Sequence, residues 1–359
     1  MNITQLLAVG LLILSAGTTD LYASNPKENR NNMENLTLTK EWDKTFPKSD
    51  KVDHSKVTFV NRYGITLAAD MYKPKGATGK LPAIAVCGPF GAVKEQSSGY
   101  WANHLASQGF VTMAFDPSFT GESSGEPRYV SSPDINTEDF SAAVDYLMTR
   151  DDVDPTRIGI VGICGWGGIA LNAAASDTRI KATMPVTMYD MHRVNANGYF
   201  DAEDSEEARK SKREAMNAQR IKDFTSGKYA LAGGLPDDRP GDDAPQFFRD
   251  YWDYYKTDRG YSVNSLNSNG GWNTTSALSW INTPILAYAG EIESPVMIMH
   301  GEKAHSRYFG EDAFKLLKGD NKQLVIVPDA THCDLYDGGA DHNMIPWDTV
   351  ISFLDKNLK

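Results

Sequence analysis

The sequence predicts an α/β protein with a mainly parallel central sheet, flanking helices and an inserted helical cap. Two observations predict this class. From residue 56 onward, short apolar runs typical of buried strands alternate with segments of helical periodicity. The alternation breaks between residues 189 and 292 and then resumes. Repeated strand–helix–strand units form a parallel sheet, because each crossover between parallel strands needs a helix.

Eight segments are predicted as strands. The first two, 57–61 and 66–72, flank the turn Arg62-Tyr63-Gly64 and predict a hairpin. The other strands are expected at 81–87, 110–115, 157–162, 182–188, 295–300 and 323–327. Helices are expected at 101–108, 138–150, 167–175, 202–220, 311–318 and 346–357. Asn136 is the N-cap candidate of the second helix.

Composition narrows the function classes. The 359 residues carry 36 Lys and Arg against 47 Asp and Glu, a net charge of −11. Nucleic-acid binding needs clustered positive charge, so this acidic balance argues against that partner. Hydrophobic residues make up 41% of the chain, which excludes global disorder. Three cysteines are too few, and odd in number, for a disulfide-built scaffold.

The first segment of the chain predicts export. Residues 6–16 form an apolar run too short to span a bilayer, followed by small and polar residues. We expect a signal peptide over residues 1–23, with cleavage after Gly17 or Ala23, and a periplasmic or secreted protein without a stable membrane anchor. A linker is expected over 24–55, and one domain over 56–359 with the cap at 189–292.

The candidate nucleophile is Cys164. It follows the buried strand 157–162 within Gly162-Ile163-Cys164-Gly165 and precedes a helix of small residues. A nucleophile on such a turn has a strained backbone, so its neighbours must be small. The helix N-terminus favours the thiolate form of a cysteine. The alternative is a structural cysteine that only packs at the end of a strand.

This segment resembles the nucleophile elbow of the α/β-hydrolases. With cysteine in place of serine it is similar to the dienelactone hydrolase-like proteins, as is the approach Asp154-Pro155-Thr156-Arg157-Ile158-Gly159. The resemblance covers nearly the whole chain from Lys56, least well the cap, and implies an α/β-hydrolase fold. Trp166 departs from it, because the family usually has glycine there. A bulky residue at this position would narrow the acyl pocket or alter helix packing.

A second segment matches the serine-hydrolase pattern G-x-S-x-G by its letters alone. Gly121-Glu122-Ser123-Ser124-Gly125 follows its strand several residues too late, and Glu126-Pro127-Arg128 comes after it instead of a small-residue helix. We therefore expect Ser123 to be structural.

The resemblance implies a base on the loop after the last strand and an acid after the seventh. His332 has the first placement, and His342 is the second choice. At the usual acid position the chain has Ala304, so Glu302 is the first candidate, with Asp334 and Asp190 left open.

The oxyanion hole should combine two backbone N–H groups, those of Gly165 and Phe90, because Pro89 has none. Residues 94–96 (Lys-Glu-Gln) are expected to line the entrance or to begin a solvated helix. Aromatic residues of the cap are expected to line a pocket or to form the cap's own core: Trp252, Tyr254, Tyr255, Tyr261, Trp272 and Trp280.

The resemblance implies a hydrolase of small-molecule esters, lactones or thioesters, acting through a cysteine thioester. It implies neither metal nor organic cofactor. The alternatives are an acyltransferase with the same residues, a prolyl-oligopeptidase-like peptidase, and a non-catalytic binding protein. Cys87 and Cys333 are expected near Cys164, and pairing of Cys164 with either is a further hypothesis. The substrate and the oligomeric state stay undetermined at this level.

Overall fold

The computed structural model describes residues 34–359, and the expected signal peptide lies outside them. Eight strands form one sheet in the order β1-β2-β4-β3-β5-β6-β7-β8. The pairs β1–β2 and β2–β4 are antiparallel, and all others are parallel. The predicted fold class is confirmed. The strands are β1 Val52–Val60, β2 Thr66–Pro74, β3 Leu81–Cys87, β4 Val111–Phe115, β5 Val153–Ile163, β6 Ile180–Val186, β7 Val296–Gly301 and β8 Lys322–Val327.

Helices pack against this sheet and fill the segment between β6 and β7. None of those in residues 34–359 is long and apolar enough to cross a membrane. The helices that pack on the strands are α1 Ser97–Ser107, α2 Pro133–Met148, α3 Gly165–Ser176, α9 Arg307–Leu316 and α11 Trp347–Leu358. Those between β6 and β7 are α4 Met191–Asn197, α5 Glu206–Ser226, α6 Gln246–Tyr255, α7 Leu266–Asn269 and α8 Ala277–Ile281, and the short α10 Asp334–Asp337 follows β8.

Helix α2 begins five residues earlier than expected. Its N-cap is Ser132, whose side chain accepts a hydrogen bond from the Ile135 N–H, and Pro133 occupies the first turn. Asn136, the predicted cap, lies inside the helix, where its side chain accepts from the Ser132 N–H at 2.9 Å. Proline fixes a helical φ without needing a hydrogen-bond partner, so the helix starts there.

The expected linker over 24–55 is wrong at its C-terminal end. Strand β1 already begins at Val52, and Lys44 and Phe46 are buried. Lys44 reaches Asp70 of β2 with its Nζ 3.0 Å from the carboxylate. The domain therefore includes residues that polarity alone had assigned to a linker.

Residues 94–96 are also not where the sequence suggested, because all three are buried. The Nζ of Lys94 lies 2.6–2.8 Å from carboxylates of Glu95, Asp116 and Glu122, and so occupies the position a cation would take among them. We call these residues, together with Lys44, Lys56 and Asp70, the ion cluster. Burial raises the pKa of Glu95 to about 7, against the effect of the lysines. The cluster ties β1, β2 and the loops after β3 and β4 together.

Candidate active site

Cys164 lies at the turn between β5 and α3 with φ 59° and ψ −126°. Residues other than glycine rarely adopt this backbone conformation, which costs roughly 1–3 kcal/mol. Backbone hydrogen bonds on both sides hold it, since the Cys164 N–H donates to Val186 O and its carbonyl accepts from Tyr189 N–H, each at 2.9 Å. The turn therefore fixes the sulfur at the carboxyl edge of the sheet.

The positions around Cys164 require glycine because neighbouring atoms lie too close to leave room for a Cβ. A Cβ on Gly162 would lie 2.1 Å from the Trp166 carbonyl oxygen, and one on Gly165 would lie 2.7 Å from the Phe90 Cβ. Both distances are shorter than real Cβ contacts, so larger residues would push the elbow apart. This is the physical basis of the small-residue pattern seen in the sequence.

Trp166 does not narrow the pocket. Its side chain is buried in the core, where it packs edge-on against Phe115 and Phe140 with ring centroids 5.8 and 5.4 Å away. The bulky residue at the usual glycine position is thus accommodated by packing between β4 and α2.

The backbone N–H groups of Gly165 and Phe90 act to lower the pKa of the Cys164 thiol, and Phe90 lines the same cavity as Cys164. The loop carrying Phe90 is held by α7, because Asn267 Nδ2 donates to the Phe90 carbonyl at 2.9 Å and Ser265 Oγ donates to the Gly91 carbonyl at 3.0 Å. The structure therefore brings together the nucleophile candidate and the two expected oxyanion donors.

A cavity of about 190 Å³ opens beside Cys164, and most of its wall is aromatic. Among residues 34–359, no side chain that is ordinarily charged at neutral pH lines it. The lining residues are Phe90, Cys164, Tyr189, Met191, Val194, Tyr199, Leu235, Tyr251, Tyr255, Asn267 and Tyr336. The hydroxyl groups of Tyr336 and Tyr251 also act to lower the pKa of the Cys164 thiol.

Without substrate, the site does not favour the expected thiolate form of Cys164. Burial raises the pKa of the Cys164 thiol above its ordinary value, although hydrogen bonds from Tyr336, Gly165 and Phe90 act in the opposite direction. A helix N-terminus lowers a thiol pKa, but here desolvation outweighs it. Cys164 is therefore a neutral thiol in the resting site.

His332 is fully buried beside this cavity and does not line it. Its Nδ1 lies 2.6 Å from Ser306 Oγ and 2.9 Å from Thr187 Oγ1, and its Nε2 lies 2.9 Å from the Tyr336 hydroxyl. Within residues 34–359, all hydrogen-bond partners of this imidazole are hydroxyl groups. Burial lowers its pKa well below the usual value, and the neighbouring His305 adds to the effect.

The structure does not place Glu302 on His332. Glu302 is exposed, and its carboxylate accepts a hydrogen bond from the Asp329 N–H at 3.1 Å. The two alternatives are also engaged elsewhere: Asp334 accepts from Thr331, and Asp190 caps α4. Beside His332 Nδ1, where an orienting acid would lie, the structure instead has the hydroxyls of Ser306 and Thr187.

Two further candidates lie away from the cavity. His342 is exposed, with its Nδ1 2.8 Å from the Asp337 carbonyl. Ser123 is buried, donates to the Asp116 carbonyl at 2.7 Å and accepts from the Ala68 N–H at 2.9 Å. Its hydroxyl therefore holds the loop after β4 against β2, as a structural serine does.

Comparison with known proteins assigns the superfamily. PA2218 of Pseudomonas aeruginosa is 54% identical over 325 residues, 90% of this chain and 86% of that protein, and its crystal structure superposes with a TM-score of 0.86 over 91% of this chain and 100% of that one. YcjY of Escherichia coli K12 is 38% identical, over 80% of this chain and 94% of that protein. A family model described as "PETase: PET hydrolase-like" matches residues 46–198.

The fold extends to more distant hydrolases. The crystal structure of the α/β-hydrolase GrgF from Penicillium sp. sh18 has a TM-score of 0.70 at 20% identity, covering 85% of this chain and 99% of that one. This chain belongs to the α/β-hydrolase superfamily. The thiohydrolase aneE of Aspergillus aculeatus is 32% identical to this α/β-hydrolase over 138 residues, which are 38% of this chain and 42% of that protein.

Most of the tyrosines around the candidate site of this α/β-hydrolase were not predicted from the sequence. Of the six cap aromatics named above, Tyr255 lines the cavity. Trp272 and Trp280 pack on the Phe90 ring at 4.3 and 5.9 Å instead. The aromatic residues at 247, 251 and 255 are spaced one helical turn apart and were the available signal for Tyr251, whereas no sequence pattern marked Tyr336.

A second histidine of this α/β-hydrolase, His305, was also missed. Its Nε2 hydrogen-bonds to the Tyr189 hydroxyl, which lies 2.9 Å from the Tyr251 hydroxyl. The His305 ring stacks on Phe247 with centroids 4.1 Å apart, and burial lowers its pKa to about 3. It is neutral at physiological pH and completes the hydrogen-bonded wall of the site.

The three cysteines of the hydrolase, Cys87, Cys164 and Cys333, are all buried and free. Burial raises the pKa of Cys87 and of Cys333 well above the usual range, so both stay protonated. The Cys87 thiol donates to the Phe115 carbonyl at 3.4 Å.

Proposed function

We propose that this protein hydrolyses esters or thioesters of small uncharged acyl groups, with Cys164 as nucleophile and His332 as base. One observation carries the proposal: the strained turn places Cys164 in a cavity whose wall also includes Phe90 and Tyr336, and the Tyr336 hydroxyl lies 2.9 Å from His332 Nε2. Nucleophile, oxyanion donors and base are the parts that acyl transfer to water needs.

The reaction has two halves. As Cys164 attacks the substrate carbonyl carbon, His332 takes the thiol proton, and the oxyanion accepts hydrogen bonds from the N–H groups of Gly165 and Phe90. Collapse breaks the bond to the leaving alcohol or thiol, which takes the proton from His332, and leaves a thioester on the sulfur. Water then attacks this thioester while His332 takes its proton; the acid is released, and the proton returns to the Cys164 sulfur.

The cavity argues for a small and neutral acyl group. Its volume of about 190 Å³ exceeds only modestly an apolar cavity of about 150 Å³ that holds one benzene ring. A free carboxylate on the acyl group would be buried without a cation, which is costly. Acetyl and benzoyl groups therefore fit better than succinyl groups, and the 32% identity to a thiohydrolase favours the inclusion of thioesters.

The test uses p-nitrophenyl acetate, benzoate and succinate, and the matching acetyl thioester. We expect turnover of the uncharged substrates, slower turnover of the succinate, and an acyl adduct on the intact protein by mass spectrometry. Cys164→Ala should lose both turnover and adduct, whereas Cys87→Ala, which removes a buried thiol outside the cavity, should keep them. Hydrolysis unchanged in Cys164→Ala would refute the nucleophile. Absence of turnover and adduct with all four substrates would favour a binding protein.

A further inference from the structure

The hydroxyl of Tyr336 lies between the cavity and His332. Tyr336 lines the cavity together with Cys164, and its hydroxyl is 2.9 Å from His332 Nε2. His332 itself is 1% exposed and does not line the cavity. A group in the cavity therefore meets the Tyr336 hydroxyl before it meets the base.

The backbone around Tyr336 is held firmly. Its carbonyl accepts a hydrogen bond from Ser97 Oγ at 2.9 Å, and the preceding Leu335 carbonyl accepts from Trp101 Nε1 at 3.1 Å. The Tyr336 ring packs edge-on against Tyr254 at 5.0 Å. These contacts with α1 and α6 fix the hydroxyl in place, so its position between cavity and base is a property of the fold.

The other nitrogen of His332 is already engaged. Ser306 Oγ and Thr187 Oγ1 both lie within 3 Å of Nδ1. Thr187 has a φ of 43°, a strained value for a β-branched residue, and this conformation accompanies the contact. The relay assigns the His332 proton to Nδ1, where these two hydroxyls share it, so that the lone pair of Nε2 faces the Tyr336 hydroxyl.

We propose that Tyr336 relays the proton from the Cys164 thiol to His332, which makes it a further catalytic residue. The inference rests on the proposed function of Cys164. In the first step the thiol proton moves to the Tyr336 hydroxyl oxygen, while the phenolic proton moves to His332 Nε2. The sulfur then forms its bond to the carbonyl carbon, and the carbonyl π electrons move onto oxygen.

The return path uses the same atoms. When the tetrahedral intermediate collapses, the bond to the leaving alcohol or thiol breaks. The leaving group takes a proton from the Tyr336 hydroxyl, which is replenished from His332 Nε2. Deacylation repeats the relay with water in place of the thiol, so the site ends each cycle with a neutral thiol, phenol and imidazole.

Tyr251 provides a matched comparison. Tyr251 also lines the cavity beside Cys164, but its hydroxyl hydrogen-bonds to the Tyr189 hydroxyl at 2.9 Å and not to His332. Tyr251→Phe therefore removes a phenol from the sulfur while leaving the connection to the base intact. Tyr336→Phe removes both the contact and the connection.

The experiment is a double-mutant cycle on the acylation rate, measured by rapid release of p-nitrophenol. Tyr336→Phe should lower the rate by roughly 100-fold or more, the usual contribution of general base catalysis, while KM changes little. In a His332→Gln background, the same substitution should have almost no further effect, because the relay then has no acceptor. Tyr251→Phe should change the rate by the same factor in both backgrounds.

Three outcomes would overturn the relay. One is a loss from Tyr336→Phe that is equally large in both backgrounds, as for a structural role. A second is a Tyr336→Phe enzyme as fast as the wild type or faster, since Tyr336 would then only obstruct the cavity. The third applies if Tyr336→Phe does not fold, and it uses a ring-fluorinated tyrosine at position 336 instead. This more acidic phenol should shift the pH profile of acylation, and an unshifted profile contradicts the relay.

Failure of the relay is distinguishable from failure of the proposed function. If Cys164→Ala keeps full hydrolysis, the nucleophile itself is wrong. If Cys164→Ala is inactive and forms no adduct while Tyr336→Phe behaves as the wild type, only the relay is wrong.

Discussion

The guanidinium of Arg259 binds the carboxylate of Asp337 through two hydrogen bonds, 2.8 Å from Nε and 2.7 Å from Nη2. Arg259 belongs to the segment between β6 and β7, and Asp337 follows the proposed base by five residues. The same Nη2 donates to the Cys333 carbonyl at 3.1 Å. This pair therefore ties the cap to the loop that carries His332.

Arg259→Met should loosen that loop. Because Asp337 is largely buried, loss of its partner should lower the free energy of unfolding by about 2–3 kcal/mol, the range for hydrogen bonds to charged groups. It should also reduce hydrolysis in still-folded protein, since His332 loses its fixed position. The control is Arg239→Met, which breaks an exposed pair with Asp253 in the same cap and should change neither property. Chemical denaturation and kcat measure both, and equal effects of the two variants would contradict the assignment.

Ser306→Asp should give His332 the carboxylate that it lacks. An opposite charge at this distance favours the imidazolium and should raise the pKa of His332. The acid limb of the pH–rate profile should then move to higher pH. Ser306→Asn, similar in size and uncharged, should leave the limb in place, and so should Glu302→Gln, which alters an exposed carboxylate. An effect of Glu302→Gln as large as that of Ser306→Asp would reinstate Glu302 as the orienting acid.

Acid should destabilise the fold through buried histidines. Burial lowers the pKa of His300 and of His305 to about 3, against about 6.5 in an unfolded chain. Between these values the unfolded chain binds protons that the folded one does not, so stability is complete above pH 6.5 and falls as the pH drops toward 3. At pH 5 the loss is about 2 kcal/mol for each histidine.

His300→Leu isolates one of these contributions. Both His300 ring nitrogens lack a hydrogen-bond partner within residues 34–359, so an apolar replacement leaves nothing unpaired. The slope of unfolding free energy against pH between 6.5 and 4 should become shallower than in the wild type, whereas His342→Leu, on an exposed loop, should keep the wild-type slope. An unchanged slope in His300→Leu would mean that His300 is already protonated when folded.

Lys94→Met should be among the most damaging substitutions outside the cavity. It removes the cation that lies within 2.8 Å of Glu95, Asp116 and Glu122 and leaves these buried carboxylates facing one another. Breaking a buried ion pair from one side costs about 3–5 kcal/mol. Lys303→Met, whose partner Asp329 is exposed, is the control and should unfold like the wild type. Thermal unfolding measures both variants, and a small effect at Lys94 would show that its carboxylates are protonated.

The parts that could be predicted from the sequence depend on local demands. Buried parallel strands need continuous apolar runs, and the turn at Cys164 needs glycine where a Cβ would collide, so both are visible in one short stretch. The environment of His332 could not be predicted in the same way. Thr187, Ser306 and Tyr336 come from three loops at three strand ends, and neither a serine nor a threonine has a local pattern that marks it as a histidine partner.

The ion cluster was misjudged for a related reason. A Lys-Glu-Gln run is typical of a solvated helix start, and nothing near it in the sequence predicts burial. Two other members of the cluster, Lys44 and Glu122, lie 50 and 28 residues from Lys94 in the sequence. Charge pairs between residues far apart in the sequence therefore bury residues 94–96, which local composition had predicted to be solvated.

Lys44 also sets a limit on how far this chain tolerates shortening. A protein cut to begin at residue 56, the boundary that polarity suggests, would lose both Lys44 and His54, whose side chains contact the carboxylate of the fully buried Asp70. It would also lose the first half of an edge strand and the ring of Phe46. Proteolysis between residues 40 and 52 should therefore inactivate the enzyme from a distance, and any trimmed form that keeps its activity must retain this segment.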